Sequence, residues 1–347
     1  MMLTPRAILA QSFVVGIPGP QAGDRELRLA GHEGLGGVIL FKRNVESPAQ
    51  VWELNYRLRR AAAEAERPPL FIMVDQEGGS VARLHEPFCD GPGLSELGRA
   101  RPFELRAHGA LLGRQLTAAG FNWNLAPVMD VHAVAGGIMQ RRSLGSDAER
   151  VAKLGAAFIL GQQEAGCLAC AKHFPGLGRT TADTHRERPR VALSRRDLEE
   201  VELIPFRRAA EVGVSGVMVC HAVFESLDDS SPASLSPAVI EGLLRKEIGY
   251  QGLVLSDDLE MGAVAAELEP DQAAVRAYLA GCDLVLVCHR AELALQALDR
   301  LTALAEAGEI SQERIWASHH RIQAAKNRLA ALPESLSQLS AVLAKKA

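Results

Sequence analysis

The chain of 347 residues is 48% hydrophobic and 23% charged, with only 5% aromatic residues and a net charge of -4. This composition is typical of a folded globular protein with an aliphatic core, and without a basic block it argues against a nucleic-acid-binding surface. No apolar run reaches the roughly 18 residues that a membrane span needs, and the N-terminal apolar stretch is too short for a secretory signal. We therefore expect a cytoplasmic protein that binds neither nucleic acid nor a membrane.

Short apolar segments alternate with segments of helical periodicity along the whole chain. Most of the apolar segments are continuous rather than alternating, which is typical of parallel strands covered on both faces. The eight predicted strands are 13–16, 37–41, 70–74, 121–127, 168–172, 216–220, 252–255 and 284–287.

The intervening helices often begin at Ser, Asp or Pro and end at Gly. We predict them at 24–32, 48–65, 102–119, 147–165, 195–211, 237–246, 270–280 and 292–307, with two more at 312–331 and 333–345. Eight βα units without a linker predict an α/β fold, a single (β/α)8 TIM barrel. Residues 1–347 would form one domain, with the barrel at about 10–309 and the extra C-terminal helices at about 311–347.

Ionisable residues follow the predicted strands, whereas Gly, Ala and Pro dominate the opposite strand ends. Because TIM-barrel active sites lie at the C-terminal strand ends, this asymmetry predicts an enzyme. The residues concerned are Asp75, Arg83, Asp130, His132, Arg141, Arg142, Lys172, His173, Asp183, His185, His221, Asp257, Asp258 and His289.

Some of these residues have a structural interpretation instead. Asp258 could cap the helix that follows it, and Arg141 could be a solvated surface charge. We expect His132 and His289 at the rim without a direct role, whereas His221 suits a pocket-lining and a supporting role equally.

Two arrangements remain, and both suit a sugar. A carboxylate after the seventh strand, Asp257 or Asp258, would face the Asp183-Thr184-His185 segment of the fifth loop. Such a carboxylate can attack an anomeric carbon or stabilise an oxocarbenium ion, while an imidazole polarised by an aspartate can protonate the leaving oxygen. The second arrangement is a ring of groups able to hold hydroxyls: Asp75, Arg83, Arg142, Lys172 and His173.

At these residues the chain resembles glycoside hydrolase family 3, in particular its single-domain bacterial β-N-acetylglucosaminidases that recycle cell-wall fragments in the cytoplasm. Four blocks carry the resemblance in the family's order, and single motifs of this kind would be far less specific. They are Asp-Gln-Glu-Gly-Gly to Arg (75–83), Asn-Leu-Ala-Pro-Val-Met-Asp-Val (124–131), Lys-His-Phe-Pro-Gly-Leu-Gly with Asp-Thr-His (172–178 and 183–185), and Ser-Asp-Asp-Leu-Glu-Met (256–261).

The resemblance implies a role for each matching residue. Asp257 matches the covalent nucleophile, His185 the general acid/base and Asp183 its partner. The residues that match sugar-holding positions are Asp75, Arg83, Lys172 and His173, and Arg142 matches an arginine at the substrate pocket. The family's two-domain β-glucosidases take their acid/base from a second domain, so the Asp-x-His loop favours the N-acetylglucosaminidase branch.

Three positions depart from the family pattern, and none of them removes a catalytic group. Leu177 stands where a second histidine is usual, Ser80 where arginine is usual and Leu144 where phenylalanine is usual. Leu177 removes a hydrogen-bonding side chain from the loop, so it affects loop closure and aglycone preference more than the chemistry.

The resemblance implies a retaining exo-β-N-acetylhexosaminidase that needs no metal or organic cofactor. Its substrates would be small N-acetylglucosaminyl glycosides such as muropeptide fragments, and nothing demands more than a monomer. A β-N-acetylglucosaminide phosphorylase, a metallohydrolase and a sugar-binding protein without activity remain alternatives. The histidines lack the spacing of metal ligands, which argues against the second of these.

Overall fold

The computed structural model describes residues 4–89, 91–134, 137–180, 189–329 and 335–345. The strands are β1 (Phe13–Gly16), β2 (Gly37–Leu40), β3 (Phe71–Val74), β4 (Trp123–Asn124), β5 (Leu168–Phe174), β6 (Arg190–Val191), β7 (Gly216–Val219), β8 (Val223–Phe224), β9 (Leu253–Asp258) and β10 (Leu284–Val287). All except β6 and β8 pair in parallel and close into a barrel in chain order, with β10 returning to β1. The remaining two strands pair with each other in a small parallel sheet.

Helices follow the barrel strands and cover them. They are α1 (Pro5–Ala10), α2 (Asp24–Ala30), α3 (Pro48–Glu64), α4 (Leu94–Leu97), α5 (Pro102–Ala118), α6 (Ala148–Glu164), α7 (Arg195–Asp197), α8 (Leu203–Glu211), α9 (Gly262–Ala265), α10 (Pro270–Ala280), α11 (Ala291–Glu306), α12 (Gln312–Lys326) and α13 (Leu336–Leu343). Other helical segments are Lys42–Asn44, Ile138–Arg141, Leu198–Glu202, Ala233–Leu235 and Ala238–Glu247.

The core has two layers because successive strand residues point to opposite faces of the barrel. Val14, Ile39 and Met73 belong to the cluster that fills the barrel interior, while Val15 and Val38 pack in the cluster shared with the helices. Both faces are therefore apolar, which explains the continuous apolar segments of the sequence.

Helix α12 covers the end of the barrel opposite the C-terminal strand ends. Its Ile322 packs in the interior cluster, and Lys326 Nζ donates to Gln11 Oε1 at 2.6 Å. Asp283, directly before β10, is fully buried and accepts hydrogen bonds from Arg245 and Arg321. These contacts attach the C-terminal part of the chain to the barrel.

The predicted TIM barrel is confirmed, with differences at element ends. The fourth strand was predicted over seven residues but pairs as a strand only at Trp123–Asn124. Residues 125–128 still run beside β5, where Cys170 N–H donates to Ala126 O, but Pro127 has no N–H to continue the ladder. The fifth strand extends two residues further than predicted, to Phe174.

The helix predicted at 195–211 is also different, since it consists of α7, the segment Leu198–Glu202 and α8. The last two helices are shorter than predicted. The assignment of residues 1–347 to one domain stays a prediction. Within the ranges given above, no helix combines the length and apolar character that a membrane crossing requires.

Candidate active site

A cavity of about 370 Å³ lies at the carboxyl ends of the barrel strands. Inward-facing residues such as Ile39, Leu125 and Leu286 form its apolar part, and the strand-end loops supply charged groups. The charged and imidazole side chains that line it are Asp75, Glu77, Arg83, Arg142, Lys172, His173, Asp257, Asp258 and His289. Eight of the fourteen ionisable residues predicted at the strand ends therefore line one cavity, at the end where TIM-barrel chemistry takes place. Four others do not line it: Asp130, His132, Arg141 and His221.

Gln76 shapes the loop after β3 although it does not line the cavity. Its buried side-chain carbonyl accepts from the backbone N–H groups of Arg83 at 2.8 Å and Leu84 at 3.0 Å. Its amide group donates to Leu84 O at 2.8 Å. The loop is thus folded back onto Gln76, which brings the Arg83 guanidinium within 3.8 Å of Asp75.

Lys172, near the end of β5, is the centre of a buried charge network. Its ammonium group lies 2.7 Å from Asp75 Oδ1 and 2.7 Å from Glu77 Oε1. Arg142 donates to both oxygens of Glu77, through Nε at 2.9 Å and Nη2 at 2.7 Å. Two cations and two carboxylates therefore fix one another, and the remaining lone pairs of Asp75 face the cavity.

The pKa shifts in this network keep Glu77 and Lys172 charged. Burial alone would raise the pKa of Glu77, but the Arg142 guanidinium and Lys172 ammonium hold it well below its usual range. Burial would lower the pKa of Lys172, and the neighbouring carboxylates Asp75 and Glu77 instead raise it. The site is thus an array of charges held in place by their mutual ion pairs.

His173 is oriented by Asp130, which lies after β4 and is fully buried. Asp130 Oδ2 lies 2.7 Å from His173 Nδ1, and Asp130 Oδ1 accepts from the backbone N–H of Leu177 at 2.7 Å. On its other side, His173 Nε2 lies 3.3 Å from Arg142 Nη2. Because arginine can only donate, this geometry fits a neutral imidazole whose Nδ1–H donates to Asp130.

The two consecutive aspartates of β9 have different surroundings. Asp258 Oδ1 accepts from the N–H groups of Glu260 at 3.1 Å and Cys288 at 3.2 Å, and its Oδ2 lies 3.5 Å from His289 Nε2. Burial would raise the pKa of Asp258, but the His289 contact and these N–H groups lower it. Asp257 accepts only from the Asp258 N–H, at 2.9 Å, among the described residues, and it has no ion pair there.

His221 supports this strand end from behind the cavity. Its Nδ1 lies 2.7 Å from Ser234 Oγ, and its Nε2 lies 2.9 Å from Asp258 O. The side chain is fully buried and is not part of the cavity wall. Of the two roles that suited His221 in the sequence, the structure supports the second, which is to position the backbone beside Asp257.

Phe41 forms an aromatic part of the cavity rim. The guanidinium of Arg43 lies 4.5 Å from the ring centroid and that of Arg83 lies 5.9 Å from it. The imidazole of His289 is stacked with the ring at 5.9 Å. His289 therefore lies at the rim as predicted, although it also contacts Asp258.

The structure brings together six of the eight predicted site residues: Asp75, Arg83, Arg142, Lys172, His173 and Asp257. Asp183 and His185 lie outside the described residues. Sequence reasoning did not assign a role to Glu77, although it lies in the 75–79 block, two residues after Asp75. It identified Asp130 as a strand-end residue without recognising that this carboxylate orients His173.

The arrangement can hold several hydroxyl groups around a carboxylate that has no cationic partner among the described residues. A TIM barrel with such a cavity is consistent with a glycoside hydrolase. Within the described ranges, no group of three or more His, Cys, Asp or Glu side chains is arranged to hold a metal ion.

Comparison with known proteins identifies the family. Residues 13–325 match the glycosyl hydrolase family 3 N terminal domain, and the chain belongs to this family. It is 39% identical over 293 residues to a β-hexosaminidase of Alkalilimnicola ehrlichii, with 82% of each chain covered. It is therefore a glycoside hydrolase of the β-N-acetylhexosaminidase type, as the sequence motifs implied.

Solved structures agree with this assignment. A family 3 β-N-acetylglucosaminidase from Paenibacillus is 40% identical with a TM-score of 0.92, covering 98% of this chain and 68% of that one. A β-N-acetylhexosaminidase from Beutenbergia cavernae is 30% identical with a TM-score of 0.87, covering 94% of this chain and 99% of that one. The barrel fold is thus shared with enzymes of this family.

Proposed function

We propose that the protein is a retaining, exo-acting enzyme that removes terminal β-linked N-acetylglucosamine through a covalent glycosyl-aspartate intermediate. The observation that carries this proposal is the contrast between the two aspartates of β9. Asp258 is held by backbone N–H groups and His289, whereas Asp257 lines the cavity with no cationic partner among the described residues. A nucleophile needs such a free, ionised carboxylate within reach of the anomeric carbon.

The charge network supports binding of a single terminal sugar. Asp75 and Lys172 offer acceptors and donors to hydroxyl groups, and Arg83 and His173 extend this polar wall. A cavity of about 370 Å³ is at the small end of the range for ligand sites, which suits one pyranose and part of its neighbour. This size favours an exo-acting enzyme over one that cleaves within a polymer.

The proposed reaction has two steps on the same anomeric carbon. Asp257 attacks that carbon while His185, held by Asp183, donates a proton to the leaving oxygen. In the second step His185 accepts a proton from water, which attacks the glycosyl-Asp257 ester and releases the sugar with its original configuration. Peptidoglycan fragments are the proposed substrates, on the basis of the resemblance to cell-wall-recycling enzymes.

The direct test of the nucleophile is Asp257→Ala, assayed with an aryl N-acetyl-β-glucosaminide. The variant should lose hydrolysis while keeping its circular dichroism spectrum and unfolding midpoint. Asp229→Asn, a substitution at an exposed aspartate, is the matched control and should behave like the wild type. Activity of Asp257→Ala near the wild-type level would refute the assignment.

The test of the acid compares two leaving groups. His185→Ala should slow hydrolysis of a disaccharide far more than that of an activated aryl glycoside, because only the former needs a proton on its leaving oxygen. Equal losses on both substrates would argue against an acid role. The same assays in phosphate buffer, followed for sugar 1-phosphate, distinguish hydrolysis from phosphorolysis.

A further inference from the structure

Glu202 is a buried carboxyl group outside the cavity. It ends the helical segment Leu198–Glu202, and its side chain is fully shielded from solvent. Oε1 accepts from Arg179 Nε at 3.0 Å, whereas Oε2 has no hydrogen-bond partner among the described residues. A buried carboxyl with one unpaired oxygen is costly, so its presence beside an active-site loop calls for a reason.

This carboxyl group holds the loop that follows β5 at two points. At Gly176, which has a φ of +140°, a Cβ would lie 2.9 Å from Glu202 Oε2, so the backbone there rests directly on the carboxylate. Three residues later, Arg179 forms the ion pair with Glu202. Between them lies Leu177, whose N–H donates to Asp130.

The loop after β5 connects Glu202 to the predicted sugar-binding groups. Asp130 accepts from Leu177 on the loop and orients His173 in the cavity wall. Movement of the Gly176–Leu177 backbone would therefore change the position of Asp130 and, through it, the imidazole of His173.

The charges around Glu202 make this contact dependent on pH. Burial raises the pKa of Glu202 to about 7, with Arg179 opposing this shift and the nearby Asp130 adding to it. Among the described residues, the charged groups that act on it from neighbouring elements are Arg179, from the loop after β5, and Asp130, from the loop after β4. Ionised Glu202 pairs with Arg179, and protonated Glu202 loses most of that attraction.

We propose that Glu202 is a positioning residue for the hydrolytic reaction, which holds the loop after β5 through Arg179 and Gly176 and so fixes the Asp130–His173 pair. Its ionisation strengthens this hold, so substrate binding weakens as the pH falls and Glu202 takes up a proton. The proposal rests on the proposed function insofar as His173 binds the sugar.

The test compares Glu202→Gln with Glu200→Gln over about pH 5 to about pH 9, using an aryl N-acetyl-β-glucosaminide. Glu200 is the matched control because it lies in the same helical segment as Glu202 but forms an exposed ion pair, with Arg196 of α7. At pH 8, Glu202→Gln should lower kcat/KM about five- to tenfold, mainly through KM, and should remove the change of KM near pH 7. Glu200→Gln should keep the wild-type profile.

Arg179 provides a second, independent variant should Glu202→Gln fold poorly. Arg179→Gln should reproduce the altered KM profile, and Arg179→Lys should restore most of the wild-type behaviour because it keeps the charge. A wild-type KM profile in both Glu202→Gln and Arg179→Gln would overturn the proposal.

A readout without substrate separates this proposal from the proposed function. The NMR signals of the His173 ring, assigned by their loss in His173→Gln, should shift at pH 8 in Glu202→Gln and Arg179→Gln but not in Glu200→Gln. Unchanged ring signals would overturn the positioning role. If the ring signals shift in both variants but the wild-type protein fails to hydrolyse the glycoside, the positioning role is supported and the proposed function is refuted instead.

Discussion

The buried pair between Glu77 and Arg142 allows a quantitative prediction for Glu77→Gln. Glu77 is 1% exposed, accepts two charge-assisted hydrogen bonds from Arg142 and forms an ion pair with Lys172 at 2.7 Å. The glutamine keeps the volume but removes the charge, so a buried guanidinium loses its carboxylate and Lys172 keeps only Asp75. Breaking a buried ion pair on one side costs roughly 3–5 kcal/mol, and we expect a loss of this size in the free energy of unfolding.

The assay is urea unfolding at pH 7 and at decreasing pH, with Glu164→Gln as the control. Glu164 also binds an arginine, Arg106, through both oxygens, but both partners are exposed, so its loss should be too small to measure. Because the pKa of Glu77 is depressed, its contribution is complete above the usual value of about 4.3 and is lost only as the pH falls further. A loss in Glu77→Gln at pH 7 no larger than that in Glu164→Gln would refute the reasoning.

Three further predictions concern stability. Burial lowers the pKa of Lys326 to about 7, against about 10.4 in the unfolded chain. The stability of the wild type relative to Lys326→Met should therefore increase as the pH rises from about 7 to about 10.4. A difference in urea midpoints that stays constant with pH would contradict this. In the same assay, Asp283→Asn should lower the free energy of unfolding by roughly 3–5 kcal/mol, because it leaves Arg245 and Arg321 without their buried carboxylate. A decrease below about 1 kcal/mol would argue against a stabilising role for these ion pairs. Gly161→Ala should lower the Tm, because the added Cβ would lie 1.9 Å from Arg106 O on α5. At Gly242 an added Cβ would have no neighbour nearer than 3.9 Å, so Gly242→Ala should raise stability by up to about 1 kcal/mol. Equal effects of the two substitutions would contradict the packing argument.

The barrel could be predicted from the sequence because its signals are local. Each strand is a short apolar run such as 284–287, and most of the long helices have their own start signal, such as Ser47 before Pro48 or Ser311 before Gln312. The fourth strand was predicted too long because apolar residues continue past Asn124, whereas hydrogen bonding by the backbone decides where pairing ends. The division of the helix at 195–211 has a local signal that the prediction did not use: Pro205, three residues after Glu202, has no N–H to donate to the preceding turn.

The site could be predicted in part, for a related reason. Position at a strand end was sufficient to place Asp75, Lys172 and Asp257 around one cavity. Which carboxylate each cation selects depends on side-chain geometry across elements far apart in sequence, so the partnership of Glu77 with Arg142, 65 residues later, left no pattern to read. Glu202 lies in an amphipathic helical segment where it resembles any surface glutamate, and only the packing of the β5 loop shows that it is buried.

The sequence pattern alone did not decide which of the two aspartates of β9 is the nucleophile, and the family resemblance made that assignment. The structure adds a physical reason, because Asp258 already accepts two backbone N–H groups and contacts His289. A carboxylate with its lone pairs so occupied is a poor nucleophile. Asp257 has no such set of partners among the described residues.

The most direct test of the central claim is to trap the covalent intermediate. Acid quenching of the enzyme during turnover of an activated aryl N-acetyl-β-glucosaminide, followed by digestion and mass spectrometry, should yield the peptide that contains Asp257 carrying one N-acetylhexosamine. The adduct should be absent in Asp257→Ala and should accumulate in His185→Ala, whose second step lacks its base. An adduct on a different residue, or rapid turnover with an initial product of inverted configuration, would contradict the account.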